Sequence, residues 1–178
     1  MRKTLSSLIL LLPVLFANAA LAQVPNGNVF FGYSYMSADL SSRTNLNGWN
    51  ASLEGKVLPF IGLVADLTGD YGSQTIPPPF SVSANIGEHT FLFGPRASFP
   101  VGKFRPFVHG LVGVGHISES GTGYSNSDTS LSYALGGGID YHLAPRISWR
   151  VQADSLQTRF FGSTQNNVRI STGIAVHF

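Results

Sequence analysis

The sequence predicts an all-β fold in which eight antiparallel strands run up and down and close into a barrel. Three observations carry that prediction. Apolar and polar residues alternate with period two in eight separate segments, the signature of strands with one apolar and one polar face. The connections between them alternate between long polar stretches and short turns. The last segment, Val168 to Phe178, sets Val168, Ile170, Thr172, Ile174, Val176 and Phe178 against Arg169, Ser171, Gly173, Ala175 and His177. A strand at the edge of an open sheet presents unpaired backbone groups, and pairing the last strand with the first removes that edge.

The first strand, Asn28 to Met36, places Val29, Phe31, Tyr33 and Tyr35 on one face. Ser37 to Asn47 has no periodicity and reads as a loop. From Gly48 to Val57, Trp49, Ala51, Leu53 and Gly55 oppose Asn50, Ser52, Glu54 and Lys56, so the charges keep to one face. Leu58-Pro59-Phe60 is a tight turn, because proline cannot donate to a ladder. Ile61 to Tyr71 is the third strand, with Asp66 and Asp70 on its polar face, and Gly72 to Gly87 is a long loop. Glu88 to Phe99 follows, with His89, Phe91 and Phe93 opposing Glu88, Thr90 and Arg96, and Pro100 to Phe104 turns the chain. Arg105 to Ile117 carries Val and Gly on both parities; its assignment is Val108, Val112 and Val114 outward, His109, Gly113 and Gly115 inward. Ser118 to Asp128 is a loop, Leu131 to Tyr141 the sixth strand, His142 to Pro145 a turn, Ile147 to Asp154 the seventh strand and Arg159 to Asn167 the last loop. A turn centred near Ala144 sets Asp140 opposite Ser148 and Gly138 opposite Arg150, making Asp140 and Arg150 diagonal neighbours on one face.

The N-terminus reads differently. Arg2 and Lys3, the apolar run Leu5 to Phe16 and the small-residue site Ala20-Leu21-Ala22 form a secretory signal, with cleavage expected after Ala22. The domain division is therefore residues 1–22 as signal peptide and 23–178 as barrel. Removing Arg2 and Lys3 from the 11 basic residues leaves 9 against 9 acidic ones, a balance that gives no reason to expect a nucleic-acid partner. The chain has no cysteine, so strand pairing and burial must hold it together without disulfides.

Alternation alone does not say which face points inward, since a soluble barrel holds its apolar face inside around a ligand. Here charged residues make up 11% of the chain against about 25% on average, too few to solvate a whole exterior. Aromatics gather near both strand ends, Tyr35, Trp49, Tyr71, Phe91 and Tyr133 toward the loops and Phe60, Phe99, Tyr141, Trp149 and Phe178 toward the turns. Such girdles mark the two interfaces of a membrane barrel. The prediction is thus a transmembrane barrel of the cell outer membrane, apolar face to lipid, with short periplasmic turns and long extracellular loops.

That pattern resembles the small eight-stranded outer-membrane β-barrel family and is similar to the transmembrane domain of outer-membrane protein A. The resemblance covers Gly27 to Phe178. It implies that Phe178, preceded in alternation by Val176, Ile174, Thr172 and Ile170, is the signal read by the barrel-assembly machinery. It implies outer-membrane lipid and lipopolysaccharide as further partners, and a monomer. The family's best-known member carries a peptidoglycan-binding domain after its barrel; this chain ends on the eighth strand, so that tethering role is not expected here.

The candidate site is the lumen. Glu54, Lys56, Asp66, Asp70, Glu88, Arg96, Asp140, Arg150, Asp154 and Arg169 all fall on the inward parity, six acids and four bases. Ion pairs are the natural way to satisfy them. A barrel of this strand number is just wide enough for side chains to fill, which favours a polar plug over a charge-lined pore. The five histidines show no metal-ligand spacing, no cofactor is expected, and the chain is not read as an enzyme. His116-Ile117-Ser118 resembles the His-x-Ser element of barrel-shaped lipid A deacylases, yet Glu119 stands where that family has Asn and Ser130 where its glutamate would fall. The expected function is a structural or surface-interaction role, with a narrow channel or a deacylase-like membrane enzyme as alternatives. The loops, rich in Ser, Asn, Gly and Thr, suit adhesion, recognition or shielding equally.

Overall fold

The period-two alternation becomes a continuous ladder. The computed structural model describes residues 26–39, 43–76, 82–121 and 124–178; the expected signal segment, residues 1–22, lies outside the described residues. Eight strands follow in order: β1 (Gly27–Asp39), β2 (Arg43–Leu58), β3 (Ile61–Ile76), β4 (Val82–Ser98), β5 (Phe104–Gly121), β6 (Tyr124–Ala144), β7 (Ile147–Thr158) and β8 (Gln165–His177). Each pairs antiparallel with the next, and β1 also pairs with β8, closing an up-and-down barrel. At the seam, Phe31 lies opposite Ala51 on one side and Ile174 on the other. Beyond the end of β8, Phe178 and Gly27 exchange backbone hydrogen bonds of 3.0 and 3.1 Å.

The end that carries Gly27 and Phe178 has the tight turns. Pro59 and Phe60 join β2 to β3, Pro145 and Arg146 join β6 to β7, and Gly102, at φ 61°, supplies the left-handed residue between β4 and β5. Bulges at Val57 and Leu143 shift the register just before two of these turns.

At the opposite end the expected loops prove to be mostly strand. β1 and β2 stay paired out to Asp39 opposite Arg43, β3 and β4 to Ile76 opposite Val82, and β5 and β6 to Gly121 opposite Tyr124. The described parts of the stretches Ser37 to Asn47, Gly72 to Gly87 and Ser118 to Asp128 therefore extend the ladder as a raised rim, while residues 40–42, 77–81 and 122–123 of these expected loops lie outside the described residues. The physical reason is that a ladder is made by backbone N–H and C=O groups, which need no apolar alternation. Where both faces of a strand leave the apolar belt, the alternation disappears while the hydrogen bonding continues. Within Arg159 to Asn167, Phe160–Gly162 forms a 3₁₀ turn and β8 already begins at Gln165.

Outward positions form the apolar belt, with Phe31, Leu63, Phe93, Val108 and Leu135 all exposed. Trp49, Tyr71, Phe91 and Tyr133 ring one border of that belt and Phe60, Phe99, Trp149 and Phe178 the other. On β5, Val108, Val112 and Val114 face out while His109 and Gly115 are buried.

The lumen holds an apolar layer beside its polar residues. Met36, Ala38, Leu46, Val64, Ile86, Leu92, Leu111, Ile117, Ala134, Leu156 and Phe160 form one buried apolar cluster inside the barrel. These residues share the inward parity with the charges, so the strand pattern hid them among polar neighbours. Phe160 reaches the lumen from the 3₁₀ turn, which Gln165 clamps by accepting from Phe160 N (2.9 Å) and donating to Phe160 O (3.2 Å). The neighbouring Phe161 adopts φ 51°, a left-handed conformation that β-carbon-bearing residues seldom take.

Candidate functional site

Inward side chains from all strands meet in two connected polar clusters. Nearer the tight-turn end, Glu54 pairs with Lys56 at 2.7 Å and with Arg96 at 3.2 Å. Arg150 grips Asp140 through Nε (2.6 Å) and Nη2 (2.8 Å), the two-pronged geometry that a guanidinium offers a carboxylate. Asn28 joins the pairs, donating to Glu54 Oε2 (2.8 Å) and accepting from Arg150 Nη2 (3.0 Å). The Cζ atoms of Arg96 and Arg150 lie 4.3 and 4.9 Å from the centre of the Phe107 ring, whose negative face attracts both cations.

In the second cluster Arg169 donates to Asp154 Oδ2 through Nε (3.0 Å) and Nη2 (2.7 Å), to Asp66 Oδ1 (2.9 Å) and to Thr68. Asn50 donates to Asp66 (2.9 Å) and accepts from Gln152 (3.1 Å). His109 links the clusters: Arg96 Nη2 is 3.2 Å from its Nδ1, and its Nε2 is 2.7 Å from Asp154 Oδ1. A guanidinium only donates, so Nδ1 must accept and the imidazole proton sits on Nε2, facing the carboxylate.

The ten candidate residues thus divide. Eight form ion pairs: Glu54 with Lys56 and Arg96, Asp140 with Arg150, and Asp66 and Asp154 with Arg169. Asp70 and Glu88 face each other across β3 and β4 and are buried, yet neither joins an ion pair among the described residues. Both Glu88 carboxylate oxygens lack a hydrogen-bond partner there. Asp140 stands directly opposite Arg150, not diagonal to it: the turn is centred at Pro145–Arg146, with Ala144 facing Ile147, and not near Ala144, and the bulge at Leu143 then shifts the register by one residue to set Asp140 on Arg150. The neutral members Asn28, Asn50, Thr68, Gln152 and His109 were not singled out from sequence as part of the network. Their only signal was a shared parity with the charges. Phe178 sits at the seam, its backbone paired with Gly27.

His116 and Ser118 do not assemble a nucleophilic site. Both are exposed; His116 Nδ1 meets Thr129 Oγ1 at 2.7 Å, and Ser118 donates to the Gly87 carbonyl at 3.3 Å. Ser130, where an acid would be needed, accepts from Arg159 N, and Asp128 accepts from Phe161 N at the rim.

The family model for the outer membrane protein β-barrel domain matches residues 7–178. The chain belongs to that family. Solved structures agree on the fold of this outer-membrane barrel. It is similar to Neisserial surface protein A (13% identity, 85% of this chain and 97% of that one, TM-score 0.70). It is also similar to Ail, the attachment invasion locus protein of Yersinia pestis, solved with the heparin analogue sucrose octasulfate (16% identity, 86% and 98%, TM-score 0.62). The N-terminal β-barrel domain of Pseudomonas aeruginosa OprF matches at 13% identity over 86% and 96% of the two chains, TM-score 0.59. No curated protein matches the chain. Family membership puts this barrel in the outer membrane, with its apolar belt as the lipid-facing surface.

Proposed function

We propose that this outer-membrane barrel is a structural and surface-contact protein whose lumen is closed to solutes. The observation that carries this reading is the filled lumen. Arg96, Arg150 and Arg169 are 0% exposed, and the apolar cluster adds a second layer sealed by Phe160. An ion crossing the barrel would have to break buried charge pairs and then enter an apolar layer, each a costly step in a low-dielectric interior. The protein acts as a monomer, meets lipopolysaccharide and phospholipid along its belt, and is assembled through the seam strand ending at Phe178.

The raised rim is the contact surface. It carries Asp39, Arg43 and Arg159 with the exposed, conformationally held Phe161, a lightly charged edge on a rigid scaffold. The names of two relatives of like fold, an attachment protein and a surface protein, support contact at this end. The test is paired. Planar-bilayer recordings of the purified protein are expected to show no sustained open steps. Cells displaying it are expected to attach to glycan- or protein-coated surfaces, and to lose that attachment when residues 159–164 are replaced by Gly and Ser. Porin-sized steps, or attachment indifferent to the rim, would overturn the reading.

A further inference from the structure

The charges of the lumen are unevenly divided. Toward the tight-turn end, Lys56, Arg96, Arg105 and Arg150 stand against Glu54 and Asp140, an excess of two positive charges. Deeper in, Asp66, Asp70, Glu88 and Asp154 stand against Arg169 alone, with His109 between the two groups. The basic end opens into a cavity of about 650 Å³ whose wall includes Lys56, Arg105, His142 and His177 beside the apolar Leu58 and Phe178. Among the described residues, no Asp or Glu side chain lines it.

Arg105 is the distinctive member. It lies opposite Asp140 in the β5–β6 register, but Arg150 already takes both Asp140 oxygens. Arg105 makes no ion pair among the described residues, and its Nε is buried without an acceptor. His142 and His177 share Ser148 Oγ at 3.1 and 2.9 Å, with ring centres 5.4 Å apart, so their remaining nitrogens flank the same mouth. Lys103 and Arg146, both exposed, occupy turns at this same end. A concave mouth with uncompensated guanidinium, flanking imidazoles and an apolar wall is complementary to an anionic head on an apolar body.

We propose that this mouth binds small amphipathic anions, monoacyl carboxylates or phosphates, with Arg105 as the principal contact to the anionic group. The apolar portion lies against Leu58 and Phe178. The chemistry is the same whether the anion is free in solution or is the headgroup of an acidic lipid in the adjoining leaflet. The inference does not depend on the surface-contact reading, since it concerns the other end of the barrel.

The test uses full-length protein in phosphatidylcholine nanodiscs, followed by backbone amide NMR during titration with hexanoate, hexyl phosphate, inorganic phosphate and neutral hexanamide. Hexanoate and hexyl phosphate are expected to shift the amides of Arg105, His142 and His177 saturably. Hexanamide and inorganic phosphate should bind more weakly, the first for lack of charge and the second for lack of an apolar body. Arg105→Gln should weaken hexanoate about tenfold, a loss of about 1.4 kcal/mol, while Arg105→Lys retains most of the affinity. Raising salt from about 50 to about 500 mM on the unaltered protein should also weaken binding, which keeps the test decisive should Arg105→Gln fail to fold. Discs doped with phosphatidylglycerol distinguish the sources: shifts at the same amides and competition with hexanoate identify a lipid headgroup, and their absence identifies a free anion. Equal binding of hexanamide and hexanoate, unchanged affinity in Arg105→Gln, or shifts confined to lipid-facing residues would overturn the proposal.

Discussion

Replacing Arg150 with alanine gives the sharpest test of the lumen network. The substitution removes hydrogen bonds of 2.6 and 2.8 Å to Asp140 and 3.0 Å to Asn28, together with the guanidinium's contacts on Phe30 and Phe107. It takes from Asp140, 1% exposed, the cation that binds both its oxygens, leaving only Arg105 across the β5–β6 ladder, with which Asp140 makes no ion pair. Breaking a buried pair from one side costs about 3–5 kcal/mol, because the surviving charge stays buried and uncompensated. Asp140→Ala should cost a similar amount by stranding Arg150. If the two losses were independent, the double variant would lose about 6–10 kcal/mol. It strands no charge, so a coupling of about 2–3 kcal/mol should bring it back to about 4–7 kcal/mol. The measurement is urea unfolding in lipid vesicles, read by tryptophan fluorescence and by the heat-modifiable gel shift. Losses that add to within about 0.5 kcal/mol would mean that Arg150 and Asp140 do not act as a pair, and the β6–β7 register would be wrong.

Other outcomes follow from the same geometry. Arg169→Ala should destabilise more than Arg150→Ala in the same assay, because it strands both Asp66 and Asp154. Phe160→Ala should cost about 3–5 kcal/mol by opening a cavity in the apolar layer, measured by the same unfolding curves. Gly115→Val should unseat the 3₁₀ turn, since a β-carbon there would lie 3.0 Å from the Phe160 ring; faster proteolysis within residues 159–164 is the readout. Deleting Phe178 removes the hydrogen bonds to Gly27 that extend the seam, and should impair membrane assembly in cells far more than any single rim substitution. Normal insertion of the truncated chain would refute that expectation.

Strand count, antiparallel order and the face each strand residue occupies were legible in the chain, because those follow from a period-two pattern that each strand carries locally. Phe31, Leu63 and Leu135 are legible as lipid-facing, and Asp66, Arg150 and Arg169 as lumenal, from parity alone. The partners came from closure of the barrel. Arg169 meets Asp66 across 103 positions and Arg150 meets Asn28 across 122, distances that barrel closure spans and no local pattern encodes. The turn at Pro145–Arg146 and the bulge at Leu143, neither visible in the alternation, together made Asp140 and Arg150 direct neighbours where the sequence set them on a diagonal. The rim strands escaped notice because backbone pairing continues where side-chain alternation stops. The apolar layer under Phe160 escaped because parity reports which way a side chain points and not what it meets there. For the same reason six inward acids and four inward bases predicted pairing in general, while the lack of an ion pair at Asp70 and Glu88 and the unclaimed Arg105 depend on which strands the closed barrel sets face to face.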